Sequence, residues 1–289
     1  MRLDDEREST NFEIQDGRGG VGGGLGGGLG LLLPLIGSRF GCGGIVVVLI
    51  IMAVMGVNPL SLMEGGGQMP QGGEVSRDSS RLSDVQHWSL KVLGSTERVW
   101  GSLFQQAGQQ YQPTVLSFYS QNGSSGCGAA QSAMGPFYCP NDRKVYLDTD
   151  FFTELRQRFG APGDFAQAYV IAHEVGHHVQ DLEGTLGEVN QKQRAVSEAQ
   201  GNALQVRVEL QADCYAGVWA KRTGLMEPGD LEEGMKAAQA IGDDTLQKAA
   251  GRRPVPESFT HGTSEQRMTW LRKGLDSGDP AQCDTFKGA

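Results

Sequence analysis

The chain has 289 residues, enough for one substantial domain with appendages and too few for two large ones. A hydrophobic share of 38% and a charged share of 20% mark a chain that folds. A net charge of −9, with no dense run of Lys or Arg, argues against a protein built to coat nucleic acid.

Residues 1 to about 16 are charged and polar, with Arg2, Asp4, Asp5, Glu6, Arg7 and Glu8 and almost nothing to bury. Of 43 glycines, ten fall between Gly17 and Gly30, so residues 1–40 read as a Gly-rich flexible tail. The G-x-G-x-x-G matches inside it lack the preceding strand and following helix of a dinucleotide site, and they carry no weight. An apolar stretch follows, with Ile45 to Met55 at its centre and no charge for 24 residues between Arg39 and Glu64. About 20 residues suffice to span a bilayer core, so one transmembrane helix is expected over 41–60. A signal peptide fits poorly, because the stretch starts late and no small-residue cleavage site follows. A buried core helix is the other alternative, but the segment has no polar face. Arg18 and Arg39 precede it, while Glu64 and Glu74 follow it before Arg77. The positive-inside tendency then puts the N-terminus in the cytoplasm and the C-terminal domain outside, as a single-pass membrane protein. Residues 61–80 read as a linker, and 81–289 as the folded domain.

Helical periodicity in that domain covers 82–110, 150–159, 164–182, 191–200, 202–222, 229–250 and 263–275. Thr114–Tyr119 and Lys144–Asp148 read as short strands. The fold class is therefore α+β, predominantly helical, with a small sheet. Cys42 borders the apolar stretch, which leaves Cys127, Cys139, Cys214 and Cys283. An even number suits two disulfides in an oxidising compartment. Cys127 and Cys139 flank a small-residue loop and are the favoured pair, with Cys214 and Cys283 as the remainder. Four reduced thiols are the alternative. No Cys-x-x-Cys supports a zinc knuckle.

The chemistry concentrates in Tyr169 to Gln180, which contains His173-Glu174-Val175-Gly176-His177-His178. Residues four apart share one helix face, so His173 and His177 stand side by side at a spacing that binds one tetrahedral Zn²⁺. Glu174 points to the open side, where a carboxylate takes a proton from water. His178 diverges around the helix and does not replace His177. Three of five His within six residues, with Glu between them, set this apart from scattered core or surface histidines. A third ligand is needed, and Glu209 on the helical 202–222 segment is the candidate. Asp213, one turn on, is placed to accept the ring N–H of a ligand His. An ordinary solvated acidic face is the bland alternative, but Val206, Val208, Leu210, Ala212 and Ala216 surround the pair. Other divalent ions occupy such sites, but the donor types favour zinc, one per chain.

His173-Glu174-x-x-His177 followed by Glu209-x-x-x-Asp213 resembles the gluzincin pattern. Gly135 to Pro140, Phe165 to Tyr169, Glu209 to Gly217 and Phe259 to Arg267 are similar to the bacterial neutral zinc metallopeptidase family, over nearly the whole chain. The resemblance implies a membrane-attached peptidase domain of zincin-like fold, and it says little about substrate.

Lys144–Asp148 is a candidate edge strand to hold an extended peptide, although an ordinary edge strand looks the same. His261 is a candidate donor to the oxyanion formed during hydrolysis, with Arg267 and Tyr146 as rivals. His261 is equally readable as a surface residue, and Thr263 and Ser264 as helix-cap chemistry. His87 receives no role. The expected activity is peptide-bond hydrolysis at the cell envelope, with Glu174 as general base. A non-hydrolytic zinc-stabilised scaffold and a hydrolase of a non-peptide amide bond are the alternatives. Nothing points to a nucleotide, haem or flavin.

Overall fold

The computed structural model describes residues 1–15, 75–131, 135–157 and 160–287. Its architecture is α+β and mostly helical. Five strands, β1 (Phe12–Gln15), β2 (Val75–Ser76), β3 (Val115–Tyr119), β6 (Phe137–Cys139) and β7 (Lys144–Asp148), form one mixed sheet in the order β2-β1-β3-β7-β6. β1, β3 and β7 run parallel, and the two outer strands run antiparallel to their neighbours. A separate hairpin joins β4 (Asn122–Ser125) to β5 (Gly128–Gln131). β7 therefore has a partner on each side and offers no edge. The expectation of an edge strand at Lys144–Asp148 is corrected: β6 holds that end of the sheet.

Helix α1 (Asp84–Gln106) starts at a Ser83–Gln86 capping box and buries Leu93, Trp100 and Phe104 along one stripe. α2 (Asp150–Gln157) is short. α3 (Asp164–Leu182) matches the expected 164–182 and is buried nearly all round, as suits a helix at the centre of the molecule. The expected helix at 191–200 is not one element. α4 (Thr185–Gln193) ends there, and α5 (Glu198–Thr223) begins at a Ser197–Gln200 capping box. The expected 229–250 helix likewise divides into α6 (Asp230–Ala240) and α7 (Asp243–Ala249), with Gly242 capping the second. α8 (Ser264–Ser277) opens at Thr263 with its own capping box.

Two small-residue contacts set the spacing of the central helices. A Cβ on Gly176 would lie 3.1 Å from the Ala212 backbone, so α3 and α5 touch almost main chain to main chain. A Cβ on Gly274 would collide with the Cys214 carbonyl, which lets α8 lie equally close to α5. Both expected disulfides are present: Cys127–Cys139 ties the hairpin to β6, and Cys214–Cys283 ties α5 to the C-terminal segment.

The reading of residues 1 to about 16 as part of a flexible tail is corrected for residues 1–15. Phe12 pairs with Leu116 in the sheet, and Met1, Leu3 and Phe12 are buried in the core. The Met1 amino group lies 2.8 Å from the Asp164 carboxylate and 3.0 Å from Asp230. Burial would lower its pKa, but these two carboxylates raise it to about 10. The physical reason for the miss is that spaced apolar side chains suffice once a neighbouring strand supplies the backbone partners. Part of the expected 61–80 linker also belongs to the fold, because Val75–Ser76 pairs with β1.

The expected transmembrane helix at 41–60 lies outside the described residues, as do the remainder of the tail and residues 61–74. Among the described residues no helix is long and apolar enough to cross a membrane. The two flanks of that segment, β1 and β2, are hydrogen-bonded neighbours. A single crossing would separate them, so this pairing does not fit the expected placement of the N-terminus opposite the domain.

Candidate metal centre

The close contact at Gly176 brings the ligand-bearing face of α3 against α5. His173 Nε2 lies 3.2 Å from Glu209 Oε2, and His177 Nε2 lies 3.6 Å from the same oxygen. Two ligands each about 2.0–2.1 Å from a tetrahedral ion stand about 3.3 Å apart. The observed separations match that, and one donor atom from each residue falls within 4.8 Å of the others. The three side chains thus fit a single zinc ion, with Glu174 buried beside them.

Each donor is held from behind. His173 Nδ1 donates to Asp213 at 2.8 Å, which fixes the tautomer that leaves Nε2 free for a metal. Asp213 Oδ1 also accepts from the Tyr169 hydroxyl at 2.6 Å, and Arg267 grips both of its oxygens at 2.9 Å. Against the effect of burial, Arg267 and His173 hold the Asp213 carboxyl below its usual range. His177 Nδ1 donates to Gln180 Oε1 at 2.8 Å, and Gln180 is itself tied to the Val208 carbonyl on α5. Gln205 donates to Glu209 at 3.0 Å. Burial alone would lower the pKa of His173, yet Asp213 and Glu209 raise it to about 10. Glu209 is also buried, but the facing His177 and His173 hold it well below the ordinary carboxylate range. Burial lifts Glu174 above its ordinary value, while the two His residues and the main-chain N–H of Tyr138 pull it down.

Sequence reasoning missed Gln180, Tyr169 and Gln205 as supports. Gln180 is three residues from His177, Tyr169 four from His173 and Gln205 four from Glu209, so helical spacing held the signal. Asp243 carried no such signal. It reaches His261 across the fold, with Nδ1 to Oδ1 at 3.1 Å, and its other oxygen accepts the backbone N–H groups of Thr260 and His261 at 2.7 Å. His261 is half exposed, and it lies close enough to Glu209 for each charge to favour the other. The rivals for its role are engaged elsewhere. Arg267 is buried behind His173, and Tyr146 donates to Asp142 at 2.6 Å and stacks on Phe137. His178 faces away from the centre, with Nε2 donating to the Gln112 carbonyl at 2.6 Å. His87 meets Glu8 at 3.0 Å, far along the chain from the site. A second carboxylate group, Asp164, Asp230 and Glu233, lies apart from the centre; Asp164 and Asp230 pair with the Met1 ammonium, as does Glu227, and Glu233 accepts the Phe165 N–H.

A family model described as "Putative neutral zinc metallopeptidase" matches residues 1–286. The uncharacterized protein YpfJ of Escherichia coli K12 is 46% identical over 292 residues, covering 99% of each chain. The uncharacterized protein Rv2575 of Mycobacterium tuberculosis H37Rv is 43% identical over 227 residues, covering 73% of each. No solved structure matches. With its two helical histidines and distant glutamate converging on one point, the chain belongs to the neutral zinc metallopeptidase family.

Proposed function

We propose that this protein is a zinc-dependent peptidase that cleaves peptide bonds with Glu174 as general base. The reading is carried by the convergence of His173, His177 and Glu209 around one point, with a buried carboxylate one residue from the first histidine. A purely structural site has no use for that carboxylate. Zinc, when bound, lowers the pKa of water and polarises the scissile carbonyl. Glu174 takes the proton of the attacking water and passes it to the leaving amine, a role suited to a carboxyl raised by burial. His261, oriented by Asp243, donates from its free Nε2 to the oxyanion. Strand β6, next to the zinc helix, takes over from β7 as the edge that receives an extended peptide. The apolar run at 41–60 supports membrane attachment, with both of its flanks on the domain's side.

The test uses the full chain and casein as an unfolded substrate. Cleavage that a chelator abolishes and zinc restores is expected. Glu174→Gln should retain zinc and lose at least about a hundredfold in turnover, the usual worth of a general base. Casein left intact by a zinc-loaded wild type would favour the scaffold reading, and cleavage confined to small amides the non-peptide one.

A further inference from the structure

The base-bearing face of α3 also carries a clamp. Glu174, His178 and Asp181 occupy positions i, i+4 and i+7, one stripe along the helix. Tyr138, the middle residue of β6, lies along all three. Its main chain lies close enough to Glu174 to favour the charged carboxylate. Its hydroxyl lies 3.0 Å from His178 Nδ1 and 3.0 Å from Asp181 Oδ2. The clamp is itself braced. His178 is fixed by the Gln112 carbonyl at 2.6 Å, and Asp181 by Arg143 at 3.2 Å. Tyr111 packs edge-on against the His178 ring at 5.8 Å.

This arrangement answers a weakness of β6. The strand has only three residues and, among the described residues, is paired on one side, to β7, so its sheet bonds hold it poorly. In the register with β7, Tyr138 sits opposite Val145 between the two flanking pairs Phe137–Tyr146 and Cys139–Lys144. Whatever moves Tyr138 moves the sheet edge relative to the helix that carries Glu174.

We propose that Tyr138 is a positioning residue, whose hydroxyl anchors β6 to the zinc helix through Asp181 and so aligns the peptide-receiving edge with Glu174. The inference rests on the peptidase reading above, and it extends that reading to an extended polypeptide segment as substrate. A strand held in place in advance accepts an extended peptide without a further ordering cost.

The experiment compares wild type, Tyr138→Phe and Tyr111→Phe, all as zinc-loaded full chain. Three quantities are measured: hydrogen exchange of the amides at 137–139, zinc affinity by chelator competition, and kcat and KM on an unstructured fluorogenic peptide. Tyr138→Phe should speed exchange at 137–139 and lower kcat/KM by about tenfold, the scale of one lost buried hydrogen bond to a charged group. Zinc affinity should stay unchanged, which separates positioning from general loosening of the fold. Tyr111→Phe, whose hydroxyl takes no part in the clamp, should resemble wild type. Unaltered exchange and kinetics in Tyr138→Phe overturn the inference, and so does a parallel loss of zinc. A wild type that binds zinc but cleaves no peptide sinks the peptidase reading, while exchange at β6 still reports on the clamp.

Discussion

His261 shows how one residue's surroundings set a measurable property. Burial would lower its pKa, but the bond to Asp243 and the nearby Glu209 raise it. The protonated, better-donating form therefore persists above the ordinary histidine range and is lost as pH rises through the raised value. Activity should show an alkaline limb that belongs to this group. His261→Gln, measured as kcat/KM against pH, should lose about ten- to a thousandfold at neutral pH and no longer show that limb. A full limb in the variant would assign it to another group. Burial raises the carboxyl of Glu174, the proposed base, so activity should also show an acidic limb as pH falls through that raised value.

At the scale of elements, the site depends on how closely α3 and α5 approach. Helical spacing puts His173 above His177, but only the contact of Gly176 with Ala212 brings Glu209 within reach of both. Gly176→Val should push the helices apart, cost about 1–3 kcal/mol of stability in urea unfolding, and weaken zinc binding. Normal zinc affinity in that variant would show that the ligand geometry tolerates a wider gap. The breaks that divide 191–200 and 229–250 follow the same logic. Periodicity runs through them, and local caps at Ser197 and Gly242 end one helix and start the next.

On the scale of the whole molecule, the N-terminal residues join the sheet beside the domain's own strands. The Met1 ammonium has a folded pKa near 10 against an ordinary 8.0, because Asp164 and Asp230 outweigh burial. A raised cationic group contributes stability that is complete below pH 8 and fades as pH climbs through 10. Urea midpoints should therefore fall between pH 8 and 10.5 in the wild type and change less in Asp230→Asn. An equal fall in both would exclude this ion pair as the cause. Pairing of β1 with β2 also demands that the N-terminus and the domain share one side of any membrane. Cysteine labelling in intact cells should give the same accessibility at introduced positions near residue 5 and on exposed residues of α8. Opposite accessibility would mean that β1 is not paired in the cell.

The two histidines of the candidate metal group were legible because an i, i+4 pair is a local pattern, written on one helix whatever surrounds it. Glu209 and Asp213 were legible for the same reason, as a second such pair in apolar company. The disulfide partners followed from an even count together with the small-residue loop that Cys127 and Cys139 flank, and α3 from an apolar run with clear ends. Beyond reach were the short strands β1, β2 and β6, whose backbone groups find partners only through distant segments. Beyond reach too were Asp243 behind His261 and Tyr138 over Glu174, since both act from other elements. Residue types and spacing along one helix determined the chemistry this protein is equipped for. Which strand ends the described sheet, what braces the candidate site and how residues 1–15 join the sheet were decided by long-range pairing, because sheet neighbours and buried hydrogen bonds are chosen by the folded whole.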